Sequence, residues 1–102
     1  MTADLTQTIL HRAYERDSSG LNAIAQQLGA ANFPSLTGNL DFFGWDSGGS
    51  CMMLLAELPL EHRLQLTDGE VDVPRNADHW CVGIVDADGD ELITVFSDER
   101  VS

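Results

Sequence analysis

Residues 80–97 read WCVGIVDADGDELITVFS, and this stretch decides the fold. Two apolar runs, residues 80–87 and 90–97, flank the pair Asp88-Gly89. Asp-Gly between such runs signals a two-residue hairpin, because a type I′ turn needs positive φ at both central positions. That turn sets a register. It places Ala87 opposite Asp90, Val85 opposite Leu92, Gly83 opposite Thr94 and Cys81 opposite Phe96 on one face. Ile84 opposite Ile93 and Val82 opposite Val95 fall on the other, with Trp80 opposite Ser97. Both faces of this ribbon are largely apolar, so it needs cover on both sides.

Upstream, Cys51-Met-Met-Leu-Leu-Ala-Glu-Leu58 is apolar at nearly every position, and periodicity alone does not separate buried strand from buried helix. Its length and the following Pro59 favour a strand. A turn at residues 59–62 leads into Arg63-Leu-Gln-Leu-Thr67, which alternates with the period of a strand, and Asp68-Gly69 closes it. Residues 31–50 carry turn chemistry, including Asn32-Phe-Pro-Ser35, Thr37-Gly-Asn39 and Asp46-Ser-Gly-Gly-Ser50. Within them, residues 40–45 read as a short strand or an aromatic anchor.

The N-terminal third is helical. Leu5, Ile9, Leu10, Ala13 and Tyr14 form one apolar stripe over residues 3–16. Residues 17–20 break the pattern and supply caps. Leu21, Ile24, Ala25 and Leu28 then repeat the stripe over residues 20–28, with Gly29 as the stop. The expected fold is α+β in a single domain over residues 1–102. Two N-terminal helices pack as a hairpin (residues 1–30) on a three- or four-stranded antiparallel β-meander (residues 51–98). The loop 31–50, with the preceding residues 29 and 30, is expected to cover the second face of the sheet.

Composition narrows the function classes. The 102 residues hold 17 acids against five cations, all arginine, for a formal net charge of −12. Residues 1–50 carry five acids and two arginines (net −3); residues 51–102 carry twelve acids and three arginines (net −9). Such a surface opposes binding to phosphates or to an anionic membrane and favours a basic partner. The longest uninterrupted apolar run, residues 51–56, is far short of the roughly 18 residues of a membrane span. Met-Thr-Ala-Asp-Leu5 has an acid where a signal peptide carries cations, so a cytoplasmic location is expected, with Cys51 and Cys81 as thiols. Ala23-Ile-Ala-Gln-Gln-Leu-Gly-Ala30 resembles the first helix and turn of a helix-turn-helix. The segment that would read DNA, residues 32–40, contains Pro34 and Gly38 and no cation, so an ordinary packing helix is expected.

Three constellations bear on chemistry. Gly48-Gly-Ser-Cys51 could seat a cysteine at a helix N-terminus, which lowers a thiol pKa; His79 and Asp98 follow in the order of papain-like and transglutaminase-like enzymes. This is the alternative reading, a thiol hydrolase or acyltransferase with Cys51, His79 and Asp98 as its catalytic residues. No metal site is assigned. Cys51, His79 and Cys81 lack paired ligand spacing, and Asp86-Ala-Asp88-Gly89-Asp90-Glu91 departs from a calcium loop in the position of its glycine. No cofactor is expected. The third constellation is acidic: Asp86, Asp88, Asp90 and Glu91 crowd the hairpin tip, with Asp68, Glu70 and Asp72 as a second group. Outward carboxylates on a rigid sheet suit docking on a basic protein surface or a nucleic-acid-binding protein by imitating phosphates, with Phe42, Phe43 or Trp45 as anchors.

The layout Gly-Gly-Ser-Cys51, Leu58-Pro59, Leu66-Thr67-Asp68-Gly69, Val73-Pro74 and Val82-Gly-Ile-Val-Asp86-x-Asp88-Gly89 is similar to uncharacterised small acidic proteins of bacterial phages and plasmids. The resemblance covers the C-terminal half and implies a mobile-element origin, the source also of small inhibitors of host defence. The sequence thus reads as a non-enzymatic binding protein, with the thiol enzyme and a structural or regulatory subunit as alternatives.

Overall fold

The computed structural model describes residues 2–38, 40–48, 51–69 and 72–97. Three helices, α1 (Thr2–Arg16), α2 (Ser18–Gln27) and α3 (Phe33–Thr37), precede five strands. These are β1 (Phe43–Gly48), β2 (Cys51–Glu57), β3 (Arg63–Thr67), β4 (Cys81–Val85) and β5 (Glu91–Phe96). The strands form one antiparallel meander in the order β1-β2-β3-β4-β5.

The helices end and turn by local chemistry. Asp17 caps α2 by accepting the Gly20 N–H at 3.1 Å. Gly29, at φ 89°, closes it: the Gly29 N–H reaches the Gln26 carbonyl and the Ala30 N–H reaches the Ala25 carbonyl. That pair of bonds is the Schellman pattern expected of a glycine just past a helix. Residues 33–37, expected as loop, instead form α3. Asn32 accepts the Ser35 N–H at 2.8 Å, and Phe33 is buried, stacked on Tyr14. Five residues are too few to show a helical period, so a capping asparagine looks like turn chemistry. With α3 so short and Phe33 in the core, residues 32–40 do not form a DNA-reading helix.

One face of the sheet makes the core. Leu64, Leu66, Val82, Ile84 and Val95 cluster with Ile9, Ala13, Leu21, Ile24 and Phe33 from the helices. Trp80 joins them; its indole N–H donates to the Ala77 carbonyl at 3.0 Å, and Arg12 donates to the same carbonyl at 2.8 Å. These bonds fix α1 to the connection between β3 and β4.

The other face was expected to lie under residues 29–50. It does not: residues 43–48 extend the sheet sideways as β1. The open face has two paired rows, Phe43-Leu55-Gln65-Gly83-Thr94 and, at its two sides, Trp45-Met53 and Thr67-Cys81-Phe96. Gln65 and Thr67 make it more polar than the β4–β5 ribbon alone suggested. That is why a second layer is not required. Phe43 and Trp45 remain 43% and 50% exposed.

The expected hairpin register holds for Cys81↔Phe96, Val82↔Val95, Gly83↔Thr94 and Ile84↔Ile93. Near the tip it shifts, and Val85 faces Glu91 rather than Leu92. The cause is the turn. Only Gly89 has positive φ (88°), the Gly89 N–H bonds the Asp86 carbonyl, and the Asp86 N–H bonds the Asp90 carbonyl. This is a three-residue loop with a glycine bulge rather than a two-residue I′ turn. A second bulge at Leu92 restores the register of the body of the hairpin. Positive φ at two successive residues occurs instead between β2 and β3, at Leu60 (61°) and Glu61 (63°). The left-handed region costs an L-residue roughly 1–2 kcal/mol.

Two predictions follow from these placements. Leu60→Asn with Glu61→Gly should raise stability by about 1–2 kcal/mol in urea melts, because both residues tolerate that geometry; an unchanged midpoint would contradict the strain. Leu66→Ala should cost about 2–5 kcal/mol, while Trp45→Ala should cost less than about 1 kcal/mol. Equal losses would mean that the second face is covered after all.

Candidate functional site

A meander sends successive connections to alternate ends of its sheet. The β2–β3 and β4–β5 connections therefore share one end, where Arg63 pairs with Val85. The β3–β4 connection lies at the other, where Thr67 pairs with Cys81. Four residue steps of about 3.3 Å separate the two rows by roughly 13 Å. The two acidic groups singled out from the sequence thus lie at opposite ends of the sheet. Asp86, Asp88, Asp90 and Glu91 sit at the first end, Asp68 and Asp72 at the second, and Glu70 lies outside the described residues.

At the first end the turn organises the acids. Asp86 is half-buried and accepts the N–H groups of Asp88 and Asp90 on one carboxylate oxygen, each at 2.9 Å. Asp86 therefore staples the turn rather than pointing away from it. Asp88, Asp90 and Glu91 are exposed. One oxygen from each of Asp86, Asp88 and Asp90 lies within 4.8 Å of the others, and these are the three residues that the turn brings together. The Glu91 carboxylate leans over the open face, where a Cβ on Gly83 would sit 3.7 Å from its Oε2. Beside it, the Thr94 hydroxyl is buried without a hydrogen-bond partner.

The fold adds acids to this end. Glu57 and Glu61 flank the β2–β3 turn, and Asp41 precedes β1. Asp41, Glu57, Leu40 and Phe43 line a cleft of about 320 Å³. None of these acids was singled out from the sequence, because Asp41 and Glu57 become neighbours only when β1 pairs with β2. Arg63 is the only arginine at this end among the described residues, and it forms no ion pair there. None of Asp86, Asp88, Asp90 and Glu91 forms one either among those residues.

The other described arginines lie at the far end. Arg12 and Arg16 line a second cleft with Glu15, Asp78 and Trp80, and Arg12 lies 3.6 Å from Asp78. Arg75 donates to Asp72 at 3.1 Å, and the Val73 N–H donates to the other Asp72 oxygen at 2.7 Å. The Val73 bond first, then Arg75, holds the Asp72 carboxyl below its ordinary 3.8. Asp72 is therefore partnered by a cation of the chain itself, unlike the hairpin acids.

The thiol-enzyme geometry is not built as expected. Cys51 opens strand β2, so no helix dipole acts on it. β3 stands between β2 and β4, and His79 lies exposed just before β4. Two strand spacings of about 4.8 Å separate the outer chains. The Cys51 side chain and Asp98 lie outside the described residues. Phe42 packs against the core, whereas Phe43 and Trp45 are the exposed aromatics.

Comparison with protein-family models, curated proteins and solved structures finds no match for the chain. No helix among the described residues is long and apolar enough to cross a membrane.

A lowered folded-state pKa at Asp72 favours the native state above pH 3.8 and loses that contribution as pH falls through the folded value. Carbon-detected NMR should show Asp72 titrating below 3.8 and rising only part-way in Arg75→Ala, since the Val73 bond is the larger cause. Full return to 3.8 in that variant would contradict this order of causes.

Proposed function

We propose that this chain is a non-enzymatic binding protein that docks its acidic end on a basic surface of a protein partner. One observation carries the reading: the segregation of charge along the sheet. Asp41, Glu57, Glu61, Asp86, Asp88, Asp90 and Glu91 gather at one end with Arg63 and form no ion pair among the described residues, while at the other end Glu15, Asp68, Asp72 and Asp78 share the surface with Arg12, Arg16 and Arg75. Clustered like charges oppose folding, and a solvated surface that served solubility alone would intersperse its signs. The exposed Phe43 and Trp45 beside these acids supply the apolar anchors that charge alone lacks.

A partner that holds nucleic-acid phosphates offers the matching charge, and a host nucleic-acid-binding or defence complex is the finer form of this proposal. The support for phosphate imitation is local: the acids of one sheet end, not a continuous array along the sheet. Asp88, Asp90 and Glu91 carry it, with Asp86 holding their turn in shape.

The test is affinity capture from a bacterial extract with the wild type and with Asp88→Lys/Asp90→Lys/Glu91→Lys, which spares the Asp86 staple. The wild type should retain proteins of basic isoelectric point that elute as salt rises past roughly 0.5 M, where the screening length is about 4 Å. The variant should retain none of them. The same set on both baits, or a retained set without basic proteins, would overturn the proposal.

A further inference from the structure

We propose that the cleft formed by Leu40, Asp41, Phe43 and Glu57 is the subsite for an arginine side chain of the partner. This inference rests on the reading of a basic protein partner and names the place where one of its side chains is held.

The cleft joins two chemistries that an arginine also joins. Leu40 and Phe43 are apolar walls suited to a methylene stem, and Asp41 and Glu57 are carboxylates suited to a guanidinium. Its volume of about 320 Å³ admits such a side chain with part of its backbone. Phe43 is paired with Leu55, Asp41 precedes Phe43 by two residues, and Glu57 follows Leu55 by two. In an antiparallel pair that spacing sets Asp41 and Glu57 on one face, one row beyond the last paired residues. Glu57 lies opposite Arg63 in the β2–β3 pairing, yet neither Glu57 nor Asp41 forms an ion pair among the described residues, so both carboxylates are open to a further cation.

The exposed ring of Phe43, with Trp45 two residues along the same face of an edge strand, adds a surface on which a guanidinium plane stacks. The occupant is not a second copy of the chain. Each copy carries a net charge of −12, and the described arginines other than Arg63 lie at the far end of the sheet or beside their own acids.

The test uses the full chain and two synthetic peptides, one alternating valine with arginine and one alternating valine with glutamate. The readout is Trp45 emission, with Trp45→Ala identifying the share from buried Trp80. The arginine peptide should bind and the glutamate peptide should not. Asp41→Asn/Glu57→Gln should weaken binding roughly tenfold, and should do so still at about 0.5 M salt, where long-range attraction is screened. The same variant should unfold within about 0.5 kcal/mol of wild type, because both acids are exposed and neither forms an ion pair among the described residues.

If the cleft variant binds like wild type while Asp88→Lys/Asp90→Lys/Glu91→Lys does not, the cleft assignment fails and the broader reading stands. If the wild type fails to bind the arginine peptide, or self-associates through Trp45 in sedimentation, the cleft assignment is overturned, and the extract experiment decides the broader reading separately.

Discussion

The burial of Leu64, Leu66, Val82 and Ile84 beneath Ile9, Ala13 and Leu21 is the constraint on which the rest depends. Three short helices carry enough apolar surface to cover one face of a five-stranded sheet and no more. The meander can therefore be wide, but only one of its sides is sealed. Gln65 and Thr67, both half-buried, keep the other side partly polar, and Phe43 and Trp45 stand on it at the edge. An edge strand with exposed aromatics invites association, and the acids around β1 limit which chains can accept the invitation.

Topology sorts the charges of an acidic sequence between the two ends of the sheet. Each pass through the meander delivers its connection to the opposite end, so acids close in sequence part company in space. The β2–β3 and β4–β5 turns meet at one end and pool their carboxylates there. The arginines of α1 and of the β3–β4 connection are used at the other end, where Arg12 pins the Ala77 carbonyl and Arg75 holds Asp72. The arginine contacts that hold the fold thus lie at one end of the sheet, and the hairpin acids, which form no ion pair among the described residues, lie at the other. The hairpin tip illustrates the division inside a single turn: Asp86 spends an oxygen on two backbone N–H groups, and its neighbours remain available.

Much of the architecture was legible in the residues. The α1 and α2 stripes, the Gly29 stop and the inner register of β4 and β5 follow from periodicity and turn position. The hairpin register was right in the body although the turn type was not, because the glycine bulge and the Leu92 bulge offset one another. Strand β1 was harder to read: Phe-Gly-Trp-Asp-Ser-Gly contains no β-branched residue and two glycines, and its pairing with β2 is a tertiary fact. The hairpin acids were visible as a local run. The partition of Asp68 and Asp72 from them could have been drawn from a meander alone. The company of Asp41 and Glu57 could not, since it requires β1 in register.

The central claim is that Trp45 stands on an uncovered sheet face within an acidic field. A Trp80→Phe variant leaves Trp45 as the sole indole, and its quenching by caesium and by iodide, each scaled to free N-acetyltryptophanamide, measures exposure and local charge together. The account predicts strong quenching that favours the cation, with the preference shrinking as salt rises. Weak quenching by both ions would mean that this face is covered, and a preference for iodide would mean that its field is not acidic; either result would contradict the account.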